Sequence, residues 1–316
     1  MTEYILWILA SLVLLFFGAE WLVRGSAALA LRLGLTPLVI GLTVVAYGTS
    51  TPEMLVSTQA ALSGDGDLSV GNVVGSNIFN ICVILGLSAL VYPLKVKLQL
   101  IRLDTPIMVG VSLLLLGVFW DFRITRVEAA LLFAGIIAYT LVNLRLARKE
   151  LSAEVKAEFA EAVPPRPGNL WLSLALIVAG LAVLVAGSHL LVTNSIGLAT
   201  LLGVSKAVIG LTIVAAGTGM PEFATSIVAA LRKQPDIAIG NVVGSNIFNI
   251  LATLGVSGLL APLHGPGIQR FDLYVMLGTA ALLFPVMKSG FALRRWEGAV
   301  LVAIYVGYVS LLWPKS

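Results

Sequence analysis

Long apolar runs, each ended by a short polar cluster, recur along the whole 316-residue chain. About 20 apolar residues in a helix cross a hydrocarbon core of ~30 Å. On that ruler the pattern predicts ten membrane helices, over 4–23, 36–62, 68–92, 104–120, 126–146, 169–191, 205–231, 237–262, 271–287 and 294–313. Five precede and five follow a mixed-charge stretch ending in Pro-Pro (147–168), too short to fold by itself and therefore read as a cytoplasmic linker. The first run follows MTEY, with no basic n-region and no small-residue cleavage site, so it reads as a membrane helix and not as a removable signal.

The pattern repeats. GNVVGSNIFNI occupies 71–81 and again 240–250, a shift of 169. The same shift, without a gap, lays Pro221-Glu222 on Pro52-Glu53 and IGLTIVAAGT (209–218) on IGLTVVAYGT (40–49). The expected domains are a first five-helix repeat over 1–146 and a second over 169–316. An odd number of helices makes the second copy enter the membrane from the opposite side. The expected fold is thus an all-α integral membrane protein of ten transmembrane helices, arranged as two inverted five-helix repeats. Such repeats are typical of secondary transporters, whose substrates bind near the midplane where the repeats meet.

Composition agrees: 59% of residues are hydrophobic and only 11% charged, whereas soluble domains carry about 25%. The net charge of +4 reads as topology and is no argument for nucleic acid. With the N-terminus outside, 15 of the 20 Lys and Arg fall in inward loops, as the positive-inside rule requires. A multi-pass protein of the cell (inner) membrane with both termini outside follows. The single cysteine, Cys82, lies in an apolar run and excludes an internal disulfide; no Cys/His cluster has metal-ligand spacing. No nucleophile–base pair or hydrolase motif marks an enzyme, and nothing points to a cofactor or an obligate protein partner.

Glu53 and Glu222 stand deep inside apolar segments, where a carboxylate costs roughly 2.5–3.5 kcal/mol and marks a functional site by default. The alternative is a pair of neutral acids acting as helix glue. Their surroundings, GTSTPE (48–53) and GTGMPE (217–222), favour the site. Pro52 and Pro221 lack an N–H and clash with the carbonyl four residues back, freeing the carbonyls of Gly48 and Gly217. A helix broken at membrane depth is tolerated only inside protein or around a cavity. The break supplies carbonyls, Thr49 and Thr218 supply hydroxyls, and each Glu lies on the same face. Such oxygens suit a hard cation; Ca²⁺ takes six to eight. In helical register Asn72, Ser76 and Asn80 form a polar stripe, repeated by Asn241, Ser245 and Asn249, which reads as the facing wall. Gly71/Gly75 and Gly240/Gly244 have the small-xxx-small spacing of close helix packing. Asp65, Asp67 and Asp236 read as loop charges, Glu20 with Arg24 as a membrane-edge ion pair, and His189 and His264 as incidental.

At these motifs the sequence resembles the cation/calcium exchanger superfamily, and within it the prokaryotic sodium/calcium exchangers, over essentially the whole chain. The resemblance implies that Glu53 and Glu222 share Ca²⁺, with oxygens from Thr49 and Thr218. It implies that the Ala46 and Ala215 carbonyls, Ser50, Ser76 and Ser245 help bind Na⁺, and that Asn80 and Asn249 line the central position. It further implies that the first and sixth helices slide across a fixed core. Gly219 departs from the family's serine and removes one hydroxyl. Asn249 stands where some relatives carry Asp, leaving the two Glu as the only charges. The expected function is Ca²⁺/Na⁺ antiport by alternating access, with Ca²⁺ and Na⁺ as substrates. A Ca²⁺/H⁺ exchanger using the same Glu pair, or a cation channel, are the alternatives.

Overall fold

The structure, a computed structural model, describes residues 1–149, 169–202 and 215–312, without the side chains of 146–149 and 215. In chain order the helices are α1 (Thr2–Leu33), α2 (Pro37–Thr49), α3 (Thr51–Leu62), α4 (Gly66–Val91), α5 (Leu100–Asp121) and α6 (Arg126–Lys149). They continue with α7 (Leu170–Leu201), α8 (Met220–Leu231), α9 (Pro235–Leu260), α10 (Arg270–Lys288) and α11 (Arg295–Leu312). Eight of these are long and apolar enough to cross a membrane, and α2 with α3, bent by 45° at Ser50, forms one further broken span. The expected segment 205–231 is described only from Ala215; of it, α8 is a short apolar helix. The expected linker lies outside the described residues, except that α6 runs on to Lys149.

Two expected boundaries are wrong in the same way. Both α1 and α7 have 32 residues, against the expected 4–23 and 169–191. That is about 48 Å at 1.5 Å per residue, more than the hydrocarbon core. Arg24 does not end the first helix: its guanidinium is largely exposed and pairs with Glu20 one turn back. The helix stops at Gly34, left-handed at φ 64, where the N–H of Leu35 closes onto the carbonyl of Ala30, a Schellman end that glycine adopts without strain.

α1 and α7 pack along each other nearly backbone to backbone. A Cβ on Gly18 would lie 2.9 Å from the amide of Leu184, and one on Gly180 2.7 Å from the amide of Leu22. Farther along, one on Gly25 would lie 2.9 Å from the carbonyl of Ser173. With no hydrophobic drive between lipid-bathed helices, such close contact is what holds them. Gly180→Val should therefore separate the pair and lower the unfolding temperature in detergent by several degrees, whereas Gly278→Val, at a position with no neighbour within 4 Å, should not.

The centre is built from α4 and α9, whose most apolar stretches are 72% and 100% buried, against 17–39% for the other six spans. Two short antiparallel bridges tie the periphery together, Leu94↔Leu293 and Ile124↔Leu263. A shift of 169 turns one bridge into the other with partners exchanged. The same holds at the centre, where Asn77 Nδ2 donates to the carbonyl of Asn246 at 3.2 Å and Asn246 Nδ2 to that of Asn77 at 3.3 Å.

Candidate functional site

Each of the two breaks opens the same way. Ser50 (φ −83, ψ 4) and Gly219 (φ −79, ψ 3) both leave helical geometry, and a new helix starts with Pro52 or Pro221 in its first turn. Proline suits that position because the first N–H groups of a helix have no partner there. Glu53 and Glu222 follow in the first turn and are each 1% exposed. Their charges face the positive ends of α3 and α8, a favourable placement.

The stripe on α4 and α9 then divides by role. Asn72 Nδ2 donates to the carbonyl of Glu53 (3.3 Å) and to Ser57 Oγ (2.9 Å). Asn241 Nδ2 does the same to Glu222 (3.3 Å) and Ser226 (3.0 Å). Through these amides both asparagines fasten the broken helices to the core. Asn80 and Asn249 donate their amides to the Oδ1 of Asn246 and of Asn77, at 3.0 and 3.1 Å. Their own Oδ1 atoms are left buried without a partner. The sequence reading missed Asn77 and Asn246, which orient these two acceptors; the signal was the second asparagine in each motif, three residues before the last. At the last asparagine of each motif the helix widens into a π turn, Asn80–Leu85 and Asn249–Thr253, a feature frequent at functional sites.

The two halves meet at the carboxylates. Ser50 Oγ donates to Glu222 Oε1 at 2.8 Å, and Thr49 Oγ1 to Asn241 Oδ1 at 3.1 Å. Glu53 Oε2, Glu222 Oε2, Asn80 Oδ1, Asn249 Oδ1, Thr218 Oγ1 and Ser245 Oγ are all buried without a hydrogen-bond partner. Buried polar atoms are nearly always satisfied, so a group of orphans calls for an explanation. Two carboxylates and several neutral oxygens are the donor set of a hard cation. Among the described residues no group of three His, Cys, Asp or Glu could hold a metal.

The sites are not mirror copies. Ser50 gives Glu222 a hydroxyl, while position 219 has none to give Glu53. A Cβ on Gly219 would lie 3.3 Å from Cδ1 of Phe79, whose ring occupies that space and packs edge-on against Tyr305. The carbonyl of Gly217, expected to be free, accepts from Ser188 Oγ at 2.6 Å. That of Ala46 takes the N–H of Ser50 (3.0 Å) and Thr49 Oγ1 (3.4 Å). Ser76 is buried on α4, and Ala215 begins the described stub Ala215–Gly217.

The loop charges are structural. Asp65 caps α4 through the amide of Leu68 (2.9 Å), Asp67 accepts from the amide of Gly267 (2.7 Å), and Asp236 pairs with Lys97 (2.8 Å). Glu20 and Arg24 pair as expected, and Arg232 of α8 joins them, with its Nε 2.7 Å from Glu20 Oε2 and its Nη2 2.6 Å from Oε1.

The model of the family described as "Sodium/calcium exchanger protein" matches residues 3–145 and 172–313. The putative antiporter CaxA of Alkalimonas amylolytica is 38% identical over 98% of both chains. The sodium/calcium exchanger MaX1 of Methanosarcina acetivorans is 32% identical over 96% of this chain and 97% of its own. The solved structure of the sodium-calcium exchanger NCX_Mj, soaked with Na⁺ and Ca²⁺, superposes with a TM-score of 0.83 at 30% identity, covering 98% of each chain. A multi-pass helical chain with this fold, matched across both halves, belongs to the sodium/calcium exchanger family of membrane cation/calcium antiporters, a transporter family and not an enzyme family.

Proposed function

We propose that the chain exchanges Ca²⁺ for Na⁺ across the cell membrane, with Ca²⁺ held between Glu53 and Glu222. The observation that carries this reading is the group of orphaned oxygens around those two carboxylates, drawn from both broken helices and both core helices. Thr49, Thr218, Asn80 and Asn249 complete the Ca²⁺ set. Ser50, Ser76, Ser245 and the Ala46 and Ala215 carbonyls serve Na⁺. The architecture is ten transmembrane helices in two inverted five-helix repeats, 1–146 and 169–316, with both termini outside. The exchanged-partner bridges and the crossed Asn77–Asn246 pair support that arrangement, as does the charge bias of the loops.

Coupling follows from electrostatics. Two unpaired carboxylates in a low dielectric cost several kcal/mol each, so the empty carrier does not switch. One Ca²⁺, or Na⁺ in its place, neutralises them and lets the peripheral helices move. Competition for the same oxygens links the two fluxes, and inward Na⁺ drives Ca²⁺ out. Ca²⁺/H⁺ exchange is the second reading, favoured by the missing hydroxyl at Gly219, which leaves Glu53 Oε2 without a donor. In proteoliposomes at equal pH, an imposed Na⁺ gradient should drive ⁴⁵Ca²⁺ uptake, and a pH gradient without Na⁺ should not. Uptake driven by the pH gradient alone would overturn the Na⁺ assignment in favour of the proton.

A further inference from the structure

Among the described residues, two polar links of unequal strength run from the helix pair α1/α7 to α8 and the stub before it. On one face of the membrane, Arg232 at the end of α8 grips Glu20 of α1 through two nitrogens, at 2.6 and 2.7 Å. On the other, Ser188 of α7 makes a single neutral hydrogen bond to the carbonyl of Gly217. The bidentate, charge-assisted contact is the stronger kind. Arg24 also touches Glu20, but it belongs to the same helix and moves with it. Glu20 is 4% exposed while the Arg232 side chain is about half exposed, so the pair is partly buried and less screened by salt than a fully exposed one.

Neither link has a counterpart under the shift of 169. Glu20 falls on His189 and Arg232 on Ser63, while Ser188 falls on Ala19. The two faces also differ in shape. Beside α7, Val192 and Thr218 line a cleft of about 220 Å³ with His189 at its edge. Their counterparts on α1 and α2, Val23 and Thr49, are buried, at 1% and 0% exposure. Both glycines beside the breaks are covered by α7, Gly48 by Leu181 and Gly217 by Val192, so the difference lies in the exposure of Val192 and Thr218 and not in the glycines. The closed face is the one that carries the Glu20–Arg232 pair.

In an inverted-repeat carrier the opposite conformation exchanges the roles of the two halves. There His189 would meet Ser63, and no ion pair would replace the one broken. We propose that Glu20 and Arg232 are positioning residues that form a one-sided clamp, weighting the exchanger toward the conformation closed on the Arg232 face and open at Val192. This rests on the inverted-repeat reading given above, but not on which ion is the counter-ion. A ligand or contact shifts a two-state equilibrium only by its differential interaction with the two states, and the clamp is present in one of them alone. Its consequence is directional: Ca²⁺ on the Arg232 face meets the binding-competent conformation less often, so its apparent affinity there is lower by the populated fraction.

The test reads conformation without transport. In a Cys82→Ala background, Val23→Cys and Val192→Cys are placed singly, and the protein in micelles with Ca²⁺ is treated with a water-soluble thiol reagent. In the otherwise unaltered protein Val192→Cys should react faster. Arg232→Gln should raise the rate of Val23→Cys relative to Val192→Cys about tenfold, within the usual range of coupling between sites. Glu20→Gln, neutral and of the same shape, should shift the ratio in the same direction. The exchanged pair Glu20→Arg with Arg232→Glu should return it toward the starting value. A purely structural role lowers thermal stability and leaves the ratio where it was. An unchanged ratio in both single variants, or a shift toward Val192→Cys, overturns the clamp. Failure of Na⁺-driven uptake in liposomes would overturn the proposed function and leave this ratio standing.

Discussion

Replacing either Glu53 or Glu222 by glutamine should abolish Na⁺-gradient-driven ⁴⁵Ca²⁺ uptake while the protein still folds. The candidate site has these two formal charges, and every other oxygen assigned to it is neutral. Removing one leaves a divalent ion buried against a single carboxylate, and an uncompensated buried charge costs about 3–5 kcal/mol. At 1.4 kcal/mol per tenfold, that is a loss of roughly two to three and a half orders of magnitude in Ca²⁺ affinity. The glutamine amide adds to the damage. Oε2 of each Glu is one of the orphaned acceptors, and an NH₂ in its place directs donors at the cation. Folding should survive, because the backbone carbonyls of both residues keep their bonds from Asn72 and Asn241, and a neutral side chain is cheaper to bury. The two variants should differ in one respect. Ser50 can still donate to the remaining oxygen at position 222, as it does to Glu222 Oε1 at 2.8 Å, whereas position 53 has no such donor opposite it. Glu222→Gln should therefore be the more stable of the pair in thermal unfolding without Ca²⁺. Coupled uptake retained in both variants would remove the carboxylates from the mechanism.

The second large effect is expected from a methyl group. Gly244→Ala should cost the protein its transport and much of its stability. A Cβ there would lie 2.5 Å from the carbonyl of Leu42 and 2.8 Å from Cβ of Ala46. The obstacle on one side is backbone, which cannot swing aside. Relief requires α9 and α2 to separate, and overpacking of this kind costs about 1–3 kcal/mol. The displacement falls on Ala46 and through it on Thr49, whose hydroxyl bridges to Asn241 at 3.1 Å. Loss of that bridge loosens the break just where the cation is to be held. Gly110→Ala, on α5 with no neighbour within 4 Å, is the control. Thermal unfolding and Ca²⁺ uptake should both fall for Gly244→Ala and both hold for the control.

The membrane character, the breaks at Pro52 and Pro221, and the burial of Glu53 and Glu222 were all legible in the sequence. Each leaves a mark that burial cannot disguise: proline removes a helical bond wherever it stands, and an acid in an apolar run is conspicuous. What the sequence reading missed depends on partners distant along the chain. Asn77 and Asn246 lie off the four-residue stripe, and their importance comes from crossing to each other, which no local pattern records. Arg232 carries no local signal of its role, because its partner, Glu20, is 212 residues away. Ser188 carries no local signal, since the carbonyl it satisfies, that of Gly217, is 29 residues away. The lengths of α1 and α7 were underestimated because a charged residue that can reach past the apolar layer looks like a boundary. Gly75 and Gly244 looked equivalent, and Gly244 is seen to touch α2; the segment that would answer to α2 around Gly75, 203–214, lies outside the described residues.

The crossed asparagines restrict how the two halves of the gene product can drift apart. Asn77 donates to the carbonyl of Asn246 and also accepts from Asn249, while Asn246 does the same for Asn77 and Asn80. A change at either position thus strands groups belonging to both copies, and no single substitution can adapt one half alone. Positions 50 and 219 carry no such mutual debt, since each faces a different partner, Glu222 in one case and Phe79 in the other. After a duplication the first kind of position is held to its ancestral residue and the second is free to specialise. Differences in ion preference among descendants of such a duplication should accumulate at positions of the second kind.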